Sequence, residues 1–279
     1  MTALMTATRS DRRTRHRAVR VRPRATLALL LASTLGLAAF LWPLLVRGDA
    51  ALDGANAPLV FALLLPLVVG VVVAELSEGG LDVKALALLG VLSAVGAALR
   101  PLGAGTAGLE TVFFLLVLGG RVFGPGFGFV LGTTTMFASA LLTAGVGPWL
   151  PFQMLGAAWV GLGAGLLPYA RGRAELALLG AYGAVASLLY GLALNLTFWP
   201  YALGDRTQLS FDPLAGTLDN LHAFLLFTFA TSLGWDVGRA ITTVVLTLLA
   251  GPAVLAALRR AARRAAFDAA PAFEPTPPR

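Results

Sequence analysis

Eight long apolar segments, separated by short polar connectors, set the main limit on what this chain can fold into. A helix of about 20 apolar residues crosses the hydrocarbon core of a bilayer. In lipid every backbone polar group must be hydrogen-bonded within the protein, and a helix satisfies its own. The sequence therefore predicts an all-α, polytopic membrane helix bundle. The apolar segments cover residues 25–46, 57–74, 84–100, 108–120, 126–145, 150–169, 174–198 and 236–258.

The positive charges predict the orientation of these spans. Only 13% of the residues are charged and the net charge is +7, with eight arginines among the first 24 residues. Because cytoplasmic connectors carry an excess of Lys and Arg, a cytoplasmic N-terminus places Arg121, Arg171 and Arg173 on the same side as the C-terminal arginines. We expect a multi-pass membrane protein with both termini in the cytoplasm. Its basic residues suit a lipid bilayer and not nucleic acid.

The first apolar segment could in principle belong to a cleaved signal peptide or to a twin-arginine signal at Arg12 and Arg13. Its 22 residues exceed the core of about 7–15 residues that signal peptides use. The length therefore favours a membrane anchor.

Several classes of chemistry lack their residues in this sequence. There is no cysteine, and His16 and His222 are the two histidines. Lys84 is the single lysine and follows Val83, whereas a Walker A loop needs a lysine after glycine. Asp205, Asp212 and Asp219 lie in a loop with Gly and Pro, which a solvated loop explains more simply than a catalytic site. We expect no catalytic site, no metal, no cofactor and no ATPase activity in this polypeptide.

Glycine, proline and aromatic residues interrupt the apolar pattern between residues 119 and 154. The string GPGFG at 124–128 is similar to part of a dinucleotide-binding fingerprint, but it lies between membrane spans and follows no strand, so a structural turn is the better interpretation. The aromatic turn at residues 148–153 is rigid and could hold a ligand. Irregular backbone at a membrane boundary usually lines a cavity.

The C-terminal apolar region, residues 220–258, is too long for one span. We expect a short surface helix over residues 221–233 and a final span that begins near Asp236. This places Trp235, Asp236 and Arg239 near the outer mouth of the bundle. Two interpretations remain open: a ligand site, or an interfacial tryptophan beside a local Asp–Arg pair.

Small residues recur every four positions in the segment at 84–100. Gly90, Ala94 and Ala98 share one helix face, which allows a second helix to approach closely. That second helix could belong to a partner protein or to this chain.

Five strings between Lys84 and Arg264 carry a resemblance to a known family. They are the small-residue pattern at 94–98, GRVFGPGFG at 120–128, VGPWLPFQM at 146–154, NLTFWPY at 195–201 and TSLGWDVGRA at 231–240. The segment resembles the S component, the substrate-binding membrane subunit, of energy-coupling-factor (ECF) transporters, which import vitamins into bacteria. The strings VGPWLPFQM and SLGWDVGRA are similar to a branch that includes cobalamin-type S components.

The resemblance implies a protein of the plasma membrane of a bacterium, with a six-helix core that captures a vitamin on the outer face and with cobalamin as the first candidate. It also implies partners: a transmembrane T component and two cytoplasmic ATP-binding subunits, with Gly90, Ala94 and Ala98 as the docking face for the T component. The chain departs from the family in having two extra N-terminal helices, which could cap that face, pack peripherally or form a fused regulatory element. The expected division is a disordered tail 1–24, two extra helices in 25–82, the core 83–264 and a disordered tail 265–279.

Candidate substrate-binding residues lie at the ends of the predicted spans that face outward. Aromatic rings could stack on a flat ligand, the amides could hydrogen-bond to it, Arg239 could hold a carboxylate or phosphate, and Asp236 could orient that arginine. The candidates are Glu110, Trp149, Phe152, Gln153, Asn195, Trp199, Trp235, Asp236 and Arg239. The alternative functions are a stand-alone secondary transporter and a structural or assembly protein of the membrane.

Overall fold

A computed structural model describes residues 23–45, 70, 83–103, 106–203 and 207–265. All regular secondary structure in these ranges is helical, as the apolar segments predict. The second predicted span at 57–74 apart from Gly70, most of the N-terminal tail and most of the C-terminal tail lie outside the described residues. A 3-10 helix covers Arg100–Gly103. The α-helices of the described ranges are α1 Pro23–Leu45, α2 Val83–Leu99, α3 Phe113–Phe123, α4 Pro125–Leu142, α5 Leu150–Leu166, α6 Gly172–Ala202, α7 Thr217–Thr231, α8 Leu233–Leu249 and α9 Gly251–Ala265.

Four of these helical regions are long and apolar enough to cross a membrane: Thr26–Leu45, Val83–Gly103, Pro125–Leu142 and Gly172–Ala202. A fifth span results if α8 and α9, which meet at an angle of 67°, are counted together. The chain is therefore a multi-pass membrane protein by the length and composition of its helices.

Two predicted boundaries are corrected by the structure. The segment predicted at 108–120 becomes helical only at Phe113, because Ala107 and Gly108 adopt positive φ angles of 40° and 77° in a turn. The resulting helix has 11 residues, so it is about 16 Å long and shorter than the hydrocarbon core. The single span predicted at 236–258 is instead two helices that break at Ala250, since Pro252 has no backbone N–H to continue α8.

Glycine brings α3, α4 and α5 into backbone contact. A Cβ atom added at Gly120 or Gly128 would overlap the carbonyl group of Gly161, and one added at Gly161 would overlap the backbone of Gly128. Gly124 has a φ of 103° and precedes Pro125, the first residue of α4. The GPGFG string is thus a turn and a packing surface, as interpreted from the sequence.

The first helix packs against α5, α6 and α7. Trp159 Nε1 donates a hydrogen bond of 3.0 Å to Ser33 Oγ, and the Phe40 ring meets the Phe152 and Trp159 rings with centroids 5.1 and 5.4 Å apart. The first helix is therefore packed as part of the bundle.

The antiparallel helices give the bundle two ends, which differ in charge. The Glu110 end is where α3 and α8 begin, and the Glu175 end is the opposite one, where α6 begins. Arg100 and Arg239 are the described cations at the Glu110 end. The cations at the Glu175 end whose side chains are described are Lys84, Arg121, Arg171, Arg173, Arg259, Arg260, Arg263 and Arg264.

Candidate functional site

A cavity of about 310 Å³ lies at the Glu110 end of the bundle. It is formed where the 3-10 helix, the turn before α3, the end of α4 and the start of α8 meet. Its walls combine charged, hydroxyl and aromatic side chains with exposed backbone. The lining residues are Arg100, Pro101, Gly103, Gly108, Leu109, Glu110, Ser139, Thr143, Trp235 and Arg239.

The turn before α3 packs closely against the backbone of α8, which brings Glu110 next to that helix. Leu109 N donates a hydrogen bond of 2.7 Å to the Thr106 carbonyl, which tightens the turn. A Cβ atom at Gly108 would overlap the Trp235 carbonyl, and one at Gly238 would overlap the Ala107 carbonyl. Glycine at these positions lets the turn and α8 touch, and the Glu110 carboxylate then reaches α8.

Arg239 is the centre of an ion-pair network at this end. Its Nε donates to Glu110 Oε2, and its Nη1 donates to Asp236 Oδ1 at 2.8 Å and to the Ser187 carbonyl at 3.3 Å. The side chains of Arg239, Glu110 and Asp236 are only 13%, 18% and 7% exposed. The local Asp236–Arg239 pair expected from the sequence is present, and Glu110 joins it from 129 residues away.

Two aromatic rings hold the guanidinium group of Arg239. Its Cζ atom lies 5.6 Å from the Phe113 ring centroid and 5.2 Å from that of Tyr190. Both rings are buried, and their centroids are 4.8 Å apart in an edge-on arrangement. Cation–π contact and two carboxylates therefore fix the position of Arg239 and balance its charge.

Arg100 is a second cation of the cavity, and the list of sequence candidates lacks it. Its Nη2 donates a 3.1 Å hydrogen bond to Gln153 Oε1, and its Nη1 lies 3.4 Å from Ser139 Oγ. Its Nε lies 4.0 Å from Glu110 Oε1, a long ion pair. A lone arginine directly before proline, at the end of an apolar span, is the sequence signal that could have identified it.

The structure brings five sequence candidates together and keeps three others apart from the cavity lining. Glu110, Trp235 and Arg239 line the cavity. Gln153 and Asp236 do not line it, but each is hydrogen-bonded to an arginine that does, Gln153 to Arg100 and Asp236 to Arg239.

The three others are aromatic. Trp149 is 53% exposed and its Nε1 donates to the Gly145 carbonyl at 3.2 Å, whereas Phe152 packs against Phe40 of α1. Trp199 is fully buried, and its Nε1 donates to the Leu209 carbonyl at 2.6 Å. A role of these rings in ligand binding stays a prediction from the sequence.

Asn195 lies one helical turn beyond Gly191, the residue of α6 that faces Asp236. Its Oδ1 accepts a 3.1 Å hydrogen bond from Ser232 Oγ, and its buried Nδ2 has no partner among the described residues. An unpaired amide donor beside the ion-pair network is consistent with a binding role, which remains a prediction.

Gly191 allows α6 to approach the Asp236 carboxylate. A Cβ atom at this position would overlap Oδ1 and the carboxyl carbon of Asp236. We expect Gly191→Ala to lower the free energy of unfolding by about 2 kcal/mol, because the carboxylate must leave Arg239. Chemical unfolding in detergent, read by tryptophan fluorescence, measures this change.

Two comparisons test that explanation. Gly180→Ala on the same helix adds a Cβ atom whose nearest neighbour is Val244 Cγ1 at 3.9 Å, an ordinary van der Waals distance. This change should alter the free energy of unfolding by less than about 0.5 kcal/mol. In an Asp236→Ala background the Gly191→Ala change should also become small, because the obstructing carboxylate is gone. Equal costs in both backgrounds would show that Asp236 is not what Gly191 accommodates.

The described residues contain no group of three or more His, Cys, Asp and Glu side chains that could hold a metal ion. Comparison with protein-family models, with curated proteins and with solved structures finds no match to this chain.

Proposed function

We propose that this chain is the substrate-specific membrane subunit of an ECF-type importer. In this role it captures a vitamin or related micronutrient in the cavity at the Glu110 end and delivers it through a T component and two cytoplasmic ATP-binding subunits. The observation that carries the proposal is the cavity itself, which brings Glu110 from the turn before α3 together with Trp235 and Arg239 from the start of α8. Ligand sites combine a concave, largely preformed wall with a few convergent polar groups in the same way.

The charge difference between the two ends supports an outward-facing cavity. Among the cations whose side chains are described, eight lie at the Glu175 end and two at the Glu110 end. By the positive-inside rule the Glu175 end is cytoplasmic. A substrate would then enter the cavity from outside the cell.

The small-residue face of α2 supports docking of a membrane partner. Gly90, Ala94 and Ala98 are exposed, and a Cβ atom at Gly90 would meet no described atom within 4 Å. The first helix packs on α5, α6 and α7, so this part of the extra N-terminal region does not cap the face. Small residues on an open helix face allow a T component to approach at backbone distance.

The volume and charge of the cavity favour a compact substrate. About 310 Å³ is at the lower end of the range of ligand pockets, which suits a molecule of flavin or pyrimidine size better than cobalamin. Arg100 and Arg239 are balanced by Glu110 and Asp236. We therefore propose a neutral or zwitterionic vitamin as the substrate class.

Gentle purification of the tagged protein from native membranes tests the function directly. Mass spectrometry should identify a T-type membrane protein, two P-loop ATPases and a bound small molecule. Repeated recovery without any ATPase, under conditions that preserve a known ECF complex, would contradict the importer role. That outcome would favour a stand-alone secondary transporter or a structural protein.

Arg100→Gln is the variant that tests the cavity. We expect the amount of bound small molecule to fall by about tenfold, because a charged hydrogen-bond donor to the ligand or to Gln153 is lost. Arg173→Gln removes the same charge from an exposed position at the opposite end and should leave the bound amount unchanged. Equal amounts of bound small molecule in the two variants would show that the substrate does not bind in this cavity.

A further inference from the structure

A second cavity, of about 350 Å³, lies at the Glu175 end between α9 and the first turns of α6. One side of it is apolar, and the other carries three guanidinium groups. The lining residues are Gly172, Leu176, Pro252, Leu255, Ala256, Arg259, Arg260 and Arg263. We refer to it as the arginine cavity.

The arginine cavity owes its two-sided character to the amphipathic sequence of α9. Leu255 and Leu258 are buried against the bundle, at 4% and 7% exposure, whereas Arg260 and Arg264 are exposed. The helix leaves α8 at 67° and so does not continue along that span. A basic amphipathic helix at such an angle suits the level of the lipid headgroups.

Only part of the positive charge at this end is neutralised within the protein. Glu175 is buried and its Oε1 accepts hydrogen bonds from Arg121 Nε at 2.8 Å and from Arg259 Nη2 at 2.6 Å. One carboxylate shared by two guanidinium groups leaves one positive charge in excess. Arg260 and Arg263 form no ion pair with any described residue, which adds two more.

We propose that the arginine cavity binds one anionic phospholipid, with its phosphate held by Arg260 and Arg263 and the start of an acyl chain against Leu176 and Leu255. Guanidinium groups bind phosphate oxygens through paired N–H donors. Basic pockets beside membrane helices bind anionic headgroups. The apolar wall favours a lipid over a free phosphate ion, since an acyl chain can pack against apolar side chains and a free phosphate ion cannot. This inference is independent of the importer role.

Native mass spectrometry of the full-length protein in detergent tests the proposal with three probes: phosphatidylglycerol, cardiolipin and phosphatidylcholine. The first two should remain bound to the wild-type protein, and phosphatidylcholine should not. The double variant R260Q/R263Q should retain at least about tenfold less anionic lipid, because both phosphate ligands are lost. The double variant R260K/R263K keeps both positive charges and should bind part of the wild-type amount of anionic lipid. Such partial binding would show that the site tolerates substitution at both positions and still folds.

The matched control is R173Q/R264Q, which removes the same two charges from the same end without touching the cavity lining. It should bind anionic lipid as the wild type does. Equal losses in the two double variants would overturn the proposal, because net charge would then explain the binding. Displacement of the lipid by millimolar inorganic phosphate would identify a soluble phosphate site instead. Loss of a co-purifying acidic protein in R260Q/R263Q, with lipid binding unchanged, would assign the surface to a protein partner.

Discussion

Arg239→Met is expected to lower the free energy of unfolding by about 3–5 kcal/mol, the cost of leaving buried charges unpaired. Methionine keeps most of the apolar stem but lacks the guanidinium group that lies against the Phe113 and Tyr190 rings, so the cation–π contacts are lost. The change also removes the cation between Glu110 and Asp236, whose side chains are 18% and 7% exposed. Denaturant unfolding in detergent micelles measures the loss, and the cavity should also lose its ligand.

A triple variant that replaces all three charged side chains by uncharged ones separates stability from binding. In E110Q/D236N/R239M no carboxylate is left without its partner, so most of the lost stability should return. The ligand should not return, because the polar groups that line the cavity have changed. An Arg239→Met variant whose free energy of unfolding lies within about 1 kcal/mol of the wild-type value would contradict the account. A loss that small is typical of an ion pair on the solvent-exposed surface and not of a buried one.

Gly161→Ala is expected to lower the free energy of unfolding by about 3 kcal/mol, the upper end of the cost of overpacking. The added methyl group would overlap the backbone carbonyl of Gly128 and lie 3.0 Å from its Cα atom. A flexible side chain can rotate away from such an overlap, but a helix backbone cannot. Helices α4 and α5 must therefore separate, which also disturbs the contact of Gly120 with Gly161. Thermal and chemical unfolding in detergent measure the effect.

Gly90→Ala is the matched control, because a Cβ atom at Gly90 meets nothing within 4 Å among the described residues. Its stability should equal or slightly exceed that of the wild type, since alanine favours the helix. A Gly161→Ala protein as stable as Gly90→Ala would show that the three glycines are not in close backbone contact.

The spacing of the candidate residues explains which parts of the site could be predicted. Asp236 and Arg239 are three residues apart on one helix, so their pairing follows from helix geometry alone. Glu110 could be named as a candidate because it is a charge at the start of an apolar segment. Its contact with Arg239 could not be predicted, because that contact depends on how the turn at residues 106–109 packs against α8.

The aromatic candidates show the opposite case. A tryptophan near the end of a span is equally suited to a ligand site, a lipid interface or a buried cluster. Trp199 is fully buried with its ring between Phe211 and Phe224, at centroid distances of 5.4 Å in both cases. The residues that enclose it come from a later loop and helix, and hydropathy carries no information about that packing.

The sequence by itself determined that this is a helical membrane protein, where most of the long helices of the described ranges lie and that its charges gather at helix ends, because lipid imposes those properties on each segment separately. Only the tertiary structure decided that Arg100, Glu110 and Arg239 share a cavity and that the last predicted span breaks at Ala250 into two helices. These features arise from contacts between distant segments. Their energies depend on which surfaces fit together, and no local pattern of residues records that fit.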